Sequence, residues 1–214
     1  MQAVHEQNYV ITIGRQFGSG GRELGQLLAS KLGIAYYDKE LLNEAAHKAG
    51  VAPEIFERCD EKSPTFINGV LSFTMGFNPV NYYSGSTSIS DDSVYRAQSD
   101  FIHSVAMKHP CVIVGRSADY VLRDHPCCIN IFVHAPIEEC IKRIMRRGDR
   151  TTPEQARAMA EKTNKLRASY YNFYTDKRWG KAESYDLTVD SSLLPMDELA
   201  DLIAEYVRRR IRQS

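Results

Sequence analysis

Short apolar runs alternate with stretches of helical periodicity along most of the chain. Tyr9–Ile13 (YVITI) is β-branched and aromatic, ends at Gly14, and predicts a buried strand. From Arg22 onward, Leu24, Leu27, Leu28 and Leu32 form one 3.6-residue stripe, with Gly33 placed to end it. Ile34–Tyr37 predicts a second strand ending at Asp38. Lys39–Ala49 predicts a helix stopped by Gly50, and Ala52–Cys59 another helical turn or two. Cys111–Val114 (CVIV) and Cys128–Val133 (CINIFV) predict further buried strands, and Tyr185–Val189 (YDLTV) the last. Helices are predicted at Ser93–Lys108, Ile137–Arg147, Pro153–Tyr174 and Asp197–Ile211. Short apolar strands separated by helices predict an α/β domain whose parallel sheet is covered on both faces.

Between Glu61 and Asp92 this pattern breaks. Gly, Pro, Ser, Asn and Thr dominate, interleaved with Phe66, Phe73, Phe77, Tyr82 and Tyr83. That composition reads as an inserted segment rather than a core element. The remaining chain is still long enough, within 214 residues of which 43% are hydrophobic, to build one sizeable core. Lys plus Arg and Asp plus Glu both total 27, so no global basic field points to nucleic acid or an acidic membrane. No apolar run reaches the roughly 18 to 20 residues that span a bilayer. The opening MQAVHEQNYV lacks the basic and apolar regions of a signal peptide. Five cysteines, an odd number without a CxxC pair, argue against a disulfide framework or a zinc site. Reduced thiols in a cytoplasm are the expectation. The six histidines show no metal-ligand spacing, and no GxSxG elbow is present, so no metal site is expected.

Chemistry is concentrated at predicted strand ends. Gly18-Ser19-Gly20-Gly21-Arg22 lies between a buried strand and a helix. Such glycines let successive backbone N–H groups curl around an anion, and the helix N-terminus adds partial positive charge. Arg15 and Arg22 flank the loop and are candidates for phosphate contact, with Glu23 next in line. A GxxxxGK[ST] loop would carry its lysine at Gly21, followed by a hydroxyl where Arg22 and Glu23 stand. In VIVGRSAD, Arg116 follows a strand's carboxyl end, where open α/β sheets bind ligands. Asp119 is placed to orient Arg116 or to meet a substrate. Asp38 ends the second strand, and is a candidate for substrate binding or for capping the next helix. Arg143 to Arg178 is a basic stretch including Arg150 and Arg167. A basic helix there could close over polyphosphate and stabilise transferring charge.

At these residues the chain resembles the cytidylate kinase-like proteins of the P-loop nucleoside monophosphate kinase superfamily. The resemblance runs in order through ITIGRQFGSGGRELGQLLASKLGIAYYDKELL, VIVGRSADYVL, INIFVHAPIEECIKRI and YDLTVDSS, about Tyr9 to Val207. It implies a three-layer P-loop NTPase fold with a five-stranded parallel sheet. Residues 8–207 would form one kinase-like domain, with core 8–60, 93–145 and 180–207, an inserted monophosphate-binding region at about 39–92, and a helical lid at about 146–179. Residues 1–7 and 208–214 would be tails. The implied reaction is transfer of the γ-phosphoryl of ATP to a nucleoside monophosphate, CMP or dCMP in the family, with Mg²⁺ held mainly through the nucleotide phosphates. Gly18 to Arg22 fall on the phosphate loop, and Asp38 and Arg116 on monophosphate-binding positions. Arg167 falls on a lid arginine, with Arg150 a second candidate. Cytidylate kinases proper have a lysine where Gly21 stands, an Asp where Ser117 stands, and an acidic lid residue where Asn164 stands. Two alternatives remain beside this reading: a P-loop kinase with another small acceptor, and a nucleotide-binding regulator without catalysis.

Overall fold

The β-branched runs form five strands: β1 Val10–Arg15, β2 Ala35–Tyr37, β3 Cys111–Val114, β4 Cys128–His134 and β5 Leu187–Asp190. In the computed structural model, which describes residues 8–38, 91–147 and 152–213, they make one parallel sheet in the order β2-β3-β1-β4-β5. The described helices are α1 Gly21–Leu32, α2 Asp91–Ala106, α3 Ala118–Val121, α4 Ile137–Arg146, α5 Pro153–Tyr174 and α6 Met196–Ile211. The chain divides into two compact units, residues 1–41 with 102–214, and residues 42–101. The whole sheet belongs to the first. The helices expected at Lys39–Ala49 and Ala52–Cys59, and residues 39–90 of the expected inserted region, lie outside the described residues.

β1 is the central strand, and its alternation explains the layering. Ile11 and Ile13 point to the same side as Val112 and Val114 of β3 and Ile129, Ile131 and Val133 of β4. Leu24 and Leu28 of α1 and Leu199, Ile203 and Val207 of α6 close over that face. On the other face Thr12 donates to Asn130 Oδ1 at 2.7 Å, so a buried polar pair is satisfied rather than stranded. Phe132 on that side packs its ring against Tyr185 and Trp179.

Local signals account for most element ends. The Gly33 N–H, at φ 66°, bonds the carbonyls of Ala29 and Ser30 and stops α1. α5 opens on Pro153 behind a capping box in which Thr152 and Gln155 satisfy each other's backbone N–H. The last strand begins at Leu187, two residues later than the sequence pattern places it. Ala182–Ser184 form a 3₁₀ turn there, and Tyr185 is given over to ring packing. The short α3 has too few residues to show a period, and its presence was not legible in the sequence.

In the register of the sheet, Arg15 stands beside Val133, Ile13 beside Val114, and His134 beside Asp190. All strands therefore finish on one edge. Every loop that follows a strand, with Arg15, Asp38, Gly115, Arg116 and Ser191, opens there. No helix among the described residues is long and apolar enough to cross a membrane.

Candidate phosphate-binding site

The loop from Gly14 to Gly20 joins β1 to α1. Gly18 and Gly20 have φ of 80° and 81°, a backbone region that side chains disfavour. Gly20 is the N-cap of α1, so the amides of Gly21, Arg22 and Glu23 have no intrahelical acceptor. The positive end of the helix dipole reinforces them.

The loop is fastened from several distant elements. Gln16 N–H donates to Val133 O at 3.0 Å, and its side-chain oxygen accepts from Ala135 N–H at 3.3 Å. Phe17 N–H donates to Asn164 Oδ1 on α5 at 2.7 Å. Arg167, one turn further along α5, donates to Arg15 O at 3.0 Å and lies 5.6 Å from the Phe17 ring centre. Arg143 on α4 donates to Ser19 O at 3.1 Å and to Ser191 Oγ at 2.9 Å. Ser191 Oγ donates in turn to Ser19 O at 2.5 Å. Ser19 Oγ donates to Gln16 O at 2.9 Å. The carbonyls of Arg15, Gln16 and Ser19 are thus all engaged by donors. An incoming anion would meet a loop in which these three acceptors are already occupied.

The charges converge on the same place. Arg15, Arg116 and Arg167 are half-buried, and Arg116 and Arg167 lie close enough to repel Arg15. Burial first, and then the charges of Arg167 and Arg116, push the Arg15 guanidinium down to about 9. Burial pushes Arg167 down to about 10. Both stay protonated at neutral pH, so the cluster is cationic. Arg116 and Ser117 hold φ of 59° and 51°, a left-handed conformation that costs a non-glycine residue on the order of 1–3 kcal/mol. That bend sits where β3 leaves the sheet.

Arg22 is exposed, and its guanidinium pairs with the buried Asp38 carboxylate at 2.7 Å. The Tyr36 hydroxyl donates to the same carboxylate at 3.3 Å, and burial, followed by the Asp38 charge, pushes Tyr36 up to about 12. Asp119 is buried and accepts a 2.5 Å hydrogen bond from the Tyr171 hydroxyl. Glu23 is exposed on the first turn of α1. Arg150 lies outside the described residues. Sequence reasoning did not single out Gln16 or Ser191 as site residues, and it had Arg143 only as the first residue of the basic stretch. Only the DSS that follows the last strand, at its carboxyl end, offered a signal for Ser191. Among the described residues no group of three His, Cys, Asp or Glu side chains is placed to hold a metal ion.

A protein-family model described as the cytidylate kinase-like family matches residues 10–193. The chain belongs to the cytidylate kinase-like family. Among solved structures it is similar to an uncharacterized protein from Eubacterium ventriosum, at 28% identity and TM-score 0.68, covering 94% of this chain and 98% of that one. A gluconokinase from Sinorhizobium meliloti shares the fold at 14% identity and TM-score 0.55, covering 97% and 95%. So does a shikimate kinase from Acinetobacter baumannii in complex with shikimate, at 16% identity and TM-score 0.52, covering 97% and 96%. No curated protein matches the sequence. This member of the cytidylate kinase-like family therefore has the kinase-type P-loop fold, with its loop glycines at the expected place and no loop lysine.

Proposed function

We propose that this protein transfers the γ-phosphoryl of MgATP to a nucleoside monophosphate, with CMP or dCMP as acceptor. The observation that carries the reading is the convergence of Arg15, Arg116 and Arg167 on a glycine loop at the N-terminus of α1. Two guanidinium groups close enough to repel a third are a poor arrangement for stability alone and a good one for polyphosphate. Membership of the cytidylate kinase-like family supports the same chemistry.

Phosphoryl transfer asks the protein for alignment, exclusion of water and charge neutralisation rather than covalent help. In this reading the amides of Gly18 to Glu23 and the flanking arginines hold the ATP phosphates. Mg²⁺ enters as part of the nucleotide and offsets its charge. Arg116, with Asp38 and Asp119 nearby in the scheme, receives the acceptor phosphate. Arg167, and Arg150 beyond the described residues, offset charge on the transferring group. The acceptor phosphate is already ionised, so no general base is needed. The balanced net charge and the thiols at Cys111, Cys127, Cys128 and Cys140 fit a cytoplasmic enzyme acting on free nucleotides.

Ser117, directly after the Gly115-Arg116 pair, favours a second reading in which the acceptor is a different small molecule. The missing loop lysine favours a third, a nucleotide sensor without turnover. An ADP-release assay with ATP, Mg²⁺ and each of CMP, dCMP, UMP, AMP and GMP separates them. Release that depends on CMP or dCMP is the expected result. Arg116→Ala should then raise the acceptor KM about tenfold or more with a smaller change in ATP KM. Release with a non-nucleotide acceptor alone would favour the second reading, and ATP binding without any turnover the third.

A further inference from the structure

A phosphate loop of the GxxxxGK[ST] kind places its lysine where Gly21 stands in this chain. Arg22 is the nearest cation in sequence, but its guanidinium is paired with Asp38. Arg15 is the nearest in space. A Cβ on Gly21 would lie 2.6 Å from Arg15 Cβ and 3.1 Å from its Cγ. A Cβ on Gly115 would overlap Arg15 Nη1 and lie 2.8 Å from its Cζ. The Arg15 side chain thus leaves the end of β1, crosses the bare Cα of Gly21 and rests its head against the bare Cα of Gly115. The space that a lysine stem at position 21 would fill is taken by the stem of another residue.

We propose that Arg15 does the work of the absent loop lysine, contacting the phosphates of the bound nucleotide, with Gly21 and Gly115 kept free of side chains to seat it. This rests on the kinase reading above. Three further observations point the same way. Among the described residues Asp38 is the carboxylate whose charge attracts the Arg15 head, and it is paired with Arg22, whereas Arg167 and Arg116 repel that head more strongly. An anion between them relieves that repulsion. The Arg15 carbonyl is fixed by Arg167 Nη1 at 3.0 Å, so the root of the side chain is anchored. A guanidinium also presents a planar fork of donors to two phosphate oxygens, where an ammonium presents a single point of charge.

The test exchanges the two side chains in the full-length chain. MgATP is the probe, and calorimetric affinity with thermal melting are the readouts. Arg15→Gln keeps the stem and removes the charge, and should weaken ATP binding about tenfold or more while melting within a few degrees of wild type. Gly21→Lys alone should weaken binding too, because its stem meets Arg15. Arg15→Ala combined with Gly21→Lys clears the stem and restores a cation, and should bind ATP more tightly than Arg15→Ala alone. Wild-type affinity in Arg15→Gln overturns the proposal and leaves the kinase reading standing. A folded double variant no tighter than Arg15→Ala overturns it equally. A wild-type chain that binds no ATP overturns both readings together.

Discussion

Asp119 lies buried beneath the Tyr171 hydroxyl, and its burial outweighs the hydrogen bonds it accepts, so its pKa is raised from the ordinary 3.8. The folded chain then holds this proton more tightly than the unfolded chain does. Stability contributed at this site is present below 3.8 and is lost as pH rises through the raised value. Asp119→Asn keeps an acceptor for Tyr171 and has no charge to desolvate. Its melting temperature should lose the fall expected of wild type as pH rises above 3.8, a difference visible in melts stepped from about pH 4 to 7. At this scale the sequence was informative wherever chemistry is local. Arg15, Gly18, Gly20, Asp38 and Arg116 each sit at a strand end or in the glycine loop. The contacts of Arg143 and Ser191 were not legible because both act on the carbonyl of Ser19, which is 124 and 172 residues away along the chain. No periodicity or motif encodes a side chain reaching a remote backbone atom.

Among the elements, α5 shows why some boundaries read cleanly and others do not. Its range, Pro153–Tyr174, is the one its sequence predicts, because Pro153 and the Thr152–Gln155 box mark the start. β5 starts late because its first predicted residues are used in a turn and a ring stack. Nothing in YDLTV announces those tertiary contacts. α5 also carries Asn164 and Arg167, and buries Ala156 and Ala160 against Ile141 and Ile144 of α4, with Phe17 of the loop packed on the same cluster. Helix formation and loop geometry are therefore linked. Thr152→Ala breaks the capping box and should cost about 1 kcal/mol in urea unfolding, with m unchanged. Its ATP affinity should fall far less than that of Arg15→Gln, since the cap lies three turns from Asn164.

For the whole molecule, the parallel sheet and its two covered faces follow from apolar strands alternating with amphipathic helices. The strand order does not, because it depends on pairings such as Val10 with Cys111 and Cys128, which no local pattern records. The core between α1, α6 and the sheet is a larger apolar cluster than the one between α4 and α5. Ile203 is fully buried there. Ile203→Ala should destabilise by about 2–5 kcal/mol and lower Tm by roughly 5–15 °C, while activity assayed well below the transition stays near wild type. Calorimetry beside a low-temperature rate measurement checks both.

The fastening of the glycine loop has a consequence for how the protein comes into being. The loop precedes all of its clamps in the chain: Arg143, Asn164, Arg167 and Ser191. At roughly 5–20 residues per second, the loop waits about ten seconds or more for the last of them. β1 must wait as well, for β3 on one side and β4 on the other. A nascent chain thus displays the glycine sequence long before it owns the shape. The clamped shape of the loop is postponed until translation has delivered Ser191.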